Sequence, residues 1–304
     1  MTVERWGIRV PARQGEETRQ VLLREGALDL SLRVLRDGDS LILPLTGQRN
    51  GAERCEFTEH PGRDPLPCHE LVGGIAIMQD EDPAGAVKLL ASRPSLHTVV
   101  YAQSEVSGEY RTREFAVLAG RQTTRTTVVE HGHRFTVDLA GAYFSARLST
   151  ERQRILSGIL EGEIILDMFA GVGPFAITLA AKAVLVVASD LNPQAVELML
   201  ENIGQNRVRN VLPLLADSRR LSSIIPWKFD RIVMNLPLAG TEFLPEAFCL
   251  CKPGGTIHFY SLESAEGEHA PRIAELGGTV HSERMVRSYS PKHWHAVYDI
   301  CVGE

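Results

Sequence analysis

The chain has 304 residues and a formal net charge of −6, and it is 44% hydrophobic and 23% charged. This length allows two domains, and this composition is typical of a globular protein rather than a disordered or fibrous one. No apolar run approaches the roughly 20 residues that span a bilayer, and the charged start "MTVERWGIRVPARQ" lacks the apolar core of a signal peptide. We therefore expect a cytoplasmic protein that makes no contact with a membrane.

The five cysteines form no CxxC pair, and no nearby histidines complete a zinc site around Cys249 and Cys251. We therefore predict reduced thiols and no metal. The negative charge argues against a generally basic nucleic-acid binder. However, 27 of the 32 basic residues are Arg, whose planar guanidinium suits contacts to phosphates and bases; genome composition explains this bias equally well.

The amino-terminal third predicts a small unit followed by a linker. Residues 1–45 contain a strand pattern in "RWGIRVP", an amphipathic helix in "QGEETRQVLLREGAL" and a second strand in "DSLILPL". This order predicts a small α/β unit. Residues 46–66 are rich in Gly, Pro and charge, which predicts a linker.

The pattern of predicted strands and helices differs between residues 67–145 and residues 146–304. Residues 67–145 contain the strand-like runs "TVVYAQS", "YRTREFAVLAG" and "TTVVEHGHRFTVDL" and one helix, "DPAGAVKLLASRP"; they predict a mixed α+β middle domain. From 146 to 304, short apolar strands such as "EIILDMFA", "VLVVASDL" and "FDRIVMNLP" alternate with helices. This alternation predicts a doubly wound, Rossmann-like α/β domain with a parallel sheet.

The string "LDMFAGVGPFAITLA" predicts a ligand-binding turn. A strand ends at Asp167, and a turn with Gly171 and Gly173 opens a helix, so the backbone can approach a ligand above the strand ends. A tight turn without a ligand explains a lone G-x-G equally well. The next strand ends at Asp190, 19 residues after Gly171, where a carboxylate can bind ribose hydroxyls.

Two kinds of cofactor compete for this turn, a dinucleotide and S-adenosylmethionine (SAM). The dinucleotide pattern needs a third glycine where this chain has Ala176. Instead, Asp217 follows the third strand, where it could bind an adenine amino group, and Asn235 follows the fourth. Acidic and amide groups at the strand ends favour SAM, which is cationic and has no phosphate. Helix capping is the alternative role for Asp190 and Asp217.

The whole chain resembles the archaeal and eukaryotic type of tRNA (guanine-37 N1)-methyltransferase, a class I SAM-dependent family. The resemblance rests on "WGIRVP", "GEYRTRE", "EHGHRFTVDLAGAYFSARLSTER", "LDMFAGVGPFAI", "SDLNP", "MNLP" and "VRSYSPKHWHAVYDI". The segment around 143–152, with "MNLP" and "VRSYSP", is more specific to this family and its wyosine-pathway relatives than the SAM motifs are. One departure is Ala146, where family members often have proline.

The resemblance implies a role for individual residues. It places Tyr143 near the target base, makes Glu151 the general base and matches Arg111 to the family's catalytic arginine. Asn235 lies within reach of both the guanine and the cofactor. The residues expected to bind SAM are Arg152, Asp167, Phe169, Gly171, Gly173, Asp190, Leu191, Asp217, Ser218 and Asn235. The expected partner is tRNA, through its anticodon loop and its body, with residues 1–45 on the body, and the expected state is a monomer.

The implied reaction explains these residue types. Guanine N1 carries a proton at neutral pH, so methylation needs a base such as Glu151, and Arg111 can stabilise the charge that develops on O6. Without the resemblance, the position of Glu151 is typical of a helix cap or of an ion pair with Arg154. Arg111 is then typical of a solvated strand face, and Tyr143 is typical of a buried core residue. Three alternatives remain: aminocarboxypropyl transfer in the wyosine pathway, methylation of its imidazoguanine precursor, and a non-catalytic RNA-binding protein that retains SAM.

Overall fold

The computed structural model describes residues 2–59, 66–106 and 108–303. The chain divides into two compact units, Met1–Leu66 and Pro67–Glu304. No helix in the described ranges is both long and apolar enough to cross a lipid bilayer.

The first unit is one helix on a four-stranded antiparallel sheet. Its elements are β1 (Thr2–Pro11), α1 (Gly15–Arg24), β2 (Leu35–Asp37), β3 (Ser40–Leu45) and β4 (Ala52–Thr58). The strand order is β2-β3-β1-β4. The apolar positions of β3 and Leu22 of α1 form the core between the sheet and the helix, as the alternating pattern of these segments predicts.

Strand β4 lies where the sequence analysis expects a linker over 46–66. It pairs with β1 along seven residues, and Phe57 is fully buried. The other side chains of β4 are polar or small and largely exposed, since the strand lies at the edge of the sheet. Without an apolar alternation the strand has no sequence signal. Residues 60–65 of the expected linker lie outside the described residues.

The second unit begins with the predicted mixed α+β region. Its elements are β5 (His69–Val72), β6 (Ile75–Met78), α2 (Pro83–Ser92), β7 (Thr98–Ala102), β8 (Phe115–Gly120), β9 (Arg125–Glu130) and β10 (His133–Asp138). Strands β5-β6-β7-β8 form one sheet in which only β6 and β7 are parallel, and β9 and β10 form a separate hairpin. Helix α2 begins after Asp82, whose side chain accepts a hydrogen bond from the Gly85 amide at 2.9 Å.

The remainder is the predicted Rossmann-like domain. Its elements are α3 (Ser149–Ser157), β11 (Ile164–Asp167), α4 (Pro174–Leu179), β12 (Leu185–Asp190), α5 (Pro193–Gln205), β13 (Val211–Leu215), α6 (Leu221–Ile224), β14 (Phe229–Met234), α7 (Leu244–Leu250), β15 (Cys251–Glu263), α8 (Ala270–Glu275), β16 (Gly278–Ser290) and β17 (His293–Val302).

The seven strands of this domain have the order β13-β12-β11-β14-β15-β17-β16. The first five are parallel, whereas β17 is antiparallel to both β15 and β16. The chain order reverses between β11 and β14, and in such sheets a crevice forms outside the carboxyl ends of the strands at this point. The four polar strand ends identified in the sequence therefore meet at one edge.

The α+β region and the Rossmann-like domain share a core. Phe135 and Val137 of β10 pack with Ala195 and Leu198 of α5. The buried Asn202 of α5 hydrogen-bonds to the backbone of β10 and of the turn before α4. The expected boundary between 145 and 146 thus falls inside one compact unit, because buried side chains on both sides of it form a single core.

Candidate cofactor and active site

A cavity of about 440 Å³ opens at the carboxyl ends of β11, β12, β13 and β14. This volume is within the range of small-molecule sites. The predicted site residues that line it are Arg111, Tyr143, Arg152, Phe169, Gly171, Asp190, Leu191, Asp217, Ser218 and Asn235. The other predicted site residues, Glu151, Asp167 and Gly173, do not line it.

The turn between β11 and α4 depends on its two glycines. Gly171 has a φ angle of 54° and Gly173 one of 86°, in the left-handed region that other residues rarely adopt. A Cβ atom at Gly173 would also lie 2.9 Å from Cγ of Met199 in α5. Gly173 therefore supports the turn from the α5 side, while Gly171 faces the cavity.

Asp190, at the end of β12, ties this turn to the next strand. Its Oδ2 accepts a hydrogen bond from the Gly171 amide at 2.7 Å, and its Oδ1 accepts one from the Asn192 amide at 2.9 Å. Burial raises the pKa of Asp190, and the amides of Asn192, Gly171 and Leu191 oppose the shift. A carboxylate has about four acceptor positions, so these amides leave at least one for a ligand hydroxyl.

Asp167 is fully buried beneath the same turn. Among the described residues, neither of its carboxylate oxygens has a hydrogen-bond partner. Burial and the nearby Asp190 charge raise its pKa to about 7, against the opposing effect of the Phe169 and Ala176 amides and of Arg152. The amides of Phe169 and Ala176 therefore lie close to this carboxyl group without forming a well-aligned hydrogen bond, and a cationic ligand nearby would lower its pKa and favour its charged form.

The end of the third strand, β13, contributes Asp217 and Ser218 to the cavity. The Asp217 side chain caps the turn that follows β13 by accepting a hydrogen bond from the Arg219 amide. The hydroxyl of the buried Ser218 donates to the Met168 carbonyl at 2.6 Å, which fixes this turn against β11. Phe169 meets Phe243 edge-to-face, with ring centroids 4.9 Å apart. The Phe169 and Phe243 rings therefore form an apolar slot, and the Asp217 carboxylate lies at its rim.

Phe243 and Arg219 line the cavity but were missed by the sequence analysis. The Arg219 guanidinium lies 4.9 Å from the centroid of the Phe243 ring. Phe243 precedes α7 in a segment with no recognisable ligand motif. Its only sequence signal is an aromatic residue shortly after "MNLP", which also fits a core residue.

Arg111 and Tyr143 form the opposite wall. The Arg111 guanidinium lies 5.5 Å from the centroid of the Tyr143 ring. Arg111 has a φ angle of 53°, which is strained for a residue with a side chain. Strain of this kind persists only where the surroundings impose it, and it concentrates at functional sites. The side chain of Tyr143 is 37% exposed, so the expectation of a core residue does not apply.

Arg152 is buried and paired. Its guanidinium contacts both oxygens of Glu130, at 2.6 and 2.8 Å, and the Ser145 carbonyl at 3.1 Å. It also lies over the Phe144 and Phe175 rings. Since Arg152 is on α3 and Glu130 is on β9, this ion pair fixes α3 to the α+β region.

Glu151 lies on α3 but turns away from the cavity lining. Its Oε2 accepts hydrogen bonds from Arg154 at 2.9 Å and from the Tyr260 hydroxyl at 3.0 Å. Its Oε1 has a longer ion pair, at 3.7 Å, with Arg284. The ion pair with Arg154, which the sequence alone favours, is thus present, and the role of Glu151 as a base remains a prediction.

Arg154 extends this contact into a buried polar network. It binds Asp299 at 2.9 Å, and Asp299 accepts a hydrogen bond from His258 at 2.5 Å. Burial opposes ionisation of Asp299, but the His258 and Arg154 contacts hold its pKa well below the usual range. The network fixes Glu151 to the face of the sheet that packs on α3.

The cavity as a whole fits SAM. Asp190 can bind ribose hydroxyls, and Asp217 and the Phe169–Phe243 slot can hold adenine. A cationic cofactor would favour the charged form of the buried Asp167. Of the arginines that line the cavity, Arg152 is paired with Glu130 and Arg219 with Asp217, whereas Arg111 lies over Tyr143. The combination favours a cationic nucleoside over a dinucleotide.

Two known families match separate parts of the chain. Residues 126–275 match the TRM5/TYW2 methyltransferase domain, and residues 7–53 match the tRNA methyltransferase 5 N-terminal domain. The chain is 37% identical over 330 residues to tRNA (guanine(37)-N(1))-methyltransferase Trm5b of Pyrococcus abyssi, across 97% of this chain and 98% of that protein. The crystal structure of wild-type Trm5b from Pyrococcus abyssi has a TM-score of 0.79 at 35% identity, covering 99% of this chain and 100% of that one.

Two further relatives differ in what they cover. A solved complex of aTrm5 and tRNALeu has a TM-score of 0.74 at 28% identity, over 98% of this chain and 99% of that one. The tRNA 4-demethylwyosine(37)-methyltransferase Taw21 of Saccharolobus solfataricus is 33% identical over 244 residues, which are 76% of this chain and 92% of that protein. The chain therefore belongs to the TRM5/TYW2 family of SAM-dependent tRNA methyltransferases and carries the N-terminal domain of tRNA methyltransferase 5.

Proposed function

We propose that the protein transfers the methyl group of SAM to N1 of guanine 37 in the anticodon loop of tRNA. One observation carries this choice within the family. The similarity to the guanine-37 methyltransferase Trm5b extends over 97% of the chain and includes the first unit, whereas the similarity to the wyosine enzyme Taw21 extends over 76%.

The cavity residues divide into two groups by chemistry. Asp190, Asp217 and the Phe169 ring hold the nucleoside part of SAM, and the cationic cofactor favours the charged form of Asp167. When bound, SAM supplies an electrophilic methyl group. Arg111, Tyr143 and Asn235 line the same cavity, and we propose that they face the guanine. Tyr143 stacks on the extruded base, and the Asn235 amide binds its edge.

The reaction needs a group that stabilises negative charge on guanine O6 as the N1 proton leaves. Arg111 supplies it, because its guanidinium lines the cavity and is held in place by the Tyr143 ring and by a strained backbone. A charged donor fixed before the reaction stabilises developing charge more than a mobile one does.

Glu151 accepts the N1 proton in this proposal. Both of its short hydrogen bonds go to Oε2, so Oε1, whose pair with Arg284 is longer at 3.7 Å, can receive a proton. Glu151 immediately precedes Arg152, which lines the cavity. Tyr260 and Arg154 keep the carboxylate in one orientation.

The proposed activity is tested by incubating the protein with SAM and unmodified tRNA transcripts that carry guanine or another base at position 37. Mass spectrometry of the nucleosides should find N1-methylguanosine only with guanine at 37. An aminocarboxypropyl product, or methylation only of a transcript carrying the imidazoguanine precursor, would replace the proposal with a wyosine-pathway activity. Binding of tRNA and SAM without any product would indicate a non-catalytic protein.

The role of Glu151 has its own test. Glu151→Gln keeps the size of the side chain but removes the base, so single-turnover methylation should slow by about 10²- to 10⁴-fold with SAM and tRNA affinities unchanged. Glu161→Gln, at an exposed position after α3, is the matched control. A wild-type single-turnover rate for Glu151→Gln would reduce Glu151 to an ion-pair residue.

The partner and the setting follow from this activity. We propose that the protein binds tRNA, acts in the cytoplasm and works as a monomer. Light scattering of the protein with and without tRNA tests the monomer; a stable dimer would contradict it.

A further inference from the structure

The last two strands carry a feature that the proposed reaction does not use. Residues 284–295, "RMVRSYSPKHWH", contain Arg287 and Lys292, besides Arg284, which pairs with Glu151 and Asp299, and no acidic residue, in a chain whose net charge is −6. The string is also among those most specific to the family resemblance. We refer to it as the 284–295 segment.

The backbone of this segment points an aromatic ring outward. Strand β16 shifts its register against β17 between Ser288 and Ser290, so Tyr289 is the extra residue of a β-bulge. Bulges near active sites redirect a side chain. The Tyr289 ring stacks on the His295 ring, with centroids 5.4 Å apart and planes 22° apart, and Tyr289 remains 57% exposed.

Two polar atoms beside this stack lack a partner. Nε2 of His295 and Nε of Arg287 are buried and make no hydrogen bond within the described ranges. His295 is only 6% exposed, and it pairs directly with Arg287 across the two strands. Unsatisfied buried donors or acceptors are costly, so this pair indicates a ligand that supplies the missing bonds.

The stack lies next to the cavity. His295 pairs with Leu262 of β15, and the Leu262 amide donates a hydrogen bond at 3.0 Å to the Pro237 carbonyl in the loop after Asn235. Asn235 and Leu236 of that loop line the cavity. Burial lowers the pKa of His295 to about 4, together with the positive charges of Arg287 and Arg111, so its ring is neutral. The charge of Arg111, which lines the cavity, thus acts on His295.

From these contacts we propose that the 284–295 segment binds the unpaired nucleotide next to the target base, with its base stacked on Tyr289 and its phosphate beside Arg287 and Lys292. Single-stranded RNA fits because it offers both a π face and a negative charge within one nucleotide. The inference rests on the proposed function in taking the tRNA anticodon loop as the ligand. It assigns a separate role, holding the loop while the target base is extruded.

The test uses full-length protein, S-adenosylhomocysteine and tRNA transcripts with 2-aminopurine at position 36, at position 38 or in the T loop. Binding of wild type or of Tyr289→Phe should quench the fluorescence of 2-aminopurine at position 36 or at position 38 of the anticodon loop. Binding of Tyr289→Ala should leave that fluorescence unquenched. The Kd for tRNA should rise about 5- to 150-fold in Tyr289→Ala, which corresponds to roughly 1–3 kcal/mol for one stacked base. Trp227→Ala is the matched control, because Trp227 is 42% exposed and precedes the amino end of β14, whereas the cavity lies at the carboxyl ends of the parallel strands.

A second variant tests the phosphate contact without touching the stack. Lys292→Gln should lower the slope of log Kd against log salt by about one. Equal quenching, equal Kd and equal salt slope in the variants and wild type would overturn the proposal. If wild type methylates guanine 37 while Tyr289 has no effect, only this inference fails; if Tyr289 controls RNA binding but wild type forms no N1-methylguanosine, only the proposed activity fails.

Discussion

Replacement of Asp190 by alanine tests the cofactor site most directly, because this carboxylate has two separable functions, shaping the turn and binding the ribose of SAM. It accepts backbone hydrogen bonds from Gly171 at 2.7 Å and from Asn192 at 2.9 Å, which shape the turn. Its remaining acceptor positions are assigned to the ribose of SAM. Asp190→Ala removes both functions, and Asp190→Asn keeps one carbonyl oxygen.

The magnitude follows from these bonds. A hydrogen bond to a charged group contributes about 1.5–3 kcal/mol. Loss of one such bond to ribose therefore raises the Kd for SAM by about 10- to 150-fold. The two amides left without the carboxylate also lower the free energy of unfolding, and Asp190→Asn should lie between wild type and Asp190→Ala in both measurements.

Calorimetry with SAM and thermal unfolding separate the two effects. Asp230→Ala is the matched control, because Asp230 accepts a hydrogen bond from the Ile164 amide at 2.8 Å at the other end of the strands. It should lower Tm without changing SAM affinity. If Asp190→Ala binds SAM as tightly as wild type, the carboxylate serves only the turn and the ribose assignment is wrong.

Three further predictions concern stability and tRNA. Burial raises the pKa of Asp167 to about 7, so between about pH 4 and 7 the folded protein binds a proton that the unfolded chain does not, and wild-type stability falls as pH rises through this window. The Tm of Asp167→Asn should therefore exceed that of wild type by a margin that grows up to pH 8. A constant difference in Tm would contradict this. The lowered pKa of Asp299 implies a stabilisation that is complete above about pH 4 and lost as pH falls toward the folded pKa. In chemical unfolding at pH 7, Asp299→Asn should lower the free energy of unfolding by roughly 1–3 kcal/mol, and the difference from wild type should disappear in acid. A difference that does not change with pH would contradict this. Deletion of 1–66 should weaken tRNA binding in a filter assay and leave SAM affinity intact, and equal tRNA affinity would assign that unit another role.

Much of the cofactor site was predictable because its signals are local. A buried strand, a turn with two glycines and an acid at the next strand end lie within 24 residues, from Asp167 to Asp190. Parallel strands then bring their carboxyl ends to one edge, which places Asp190, Asp217 and Asn235 together. The structure confirms the α/β sheet that this pattern predicts.

The sequence by itself determined the strand and helix pattern, the glycine turn and the polar strand ends, since each depends on residues close in the chain. Only the tertiary structure decided which way Glu151 faces, because its partner Tyr260 is 109 residues away. The edge strand β4 and the Tyr289 bulge were likewise invisible, because backbone pairing with distant strands, and not an apolar period, creates them. Side-chain contacts across the fold depend on packing that no local spacing encodes, and they fix the detail of this site.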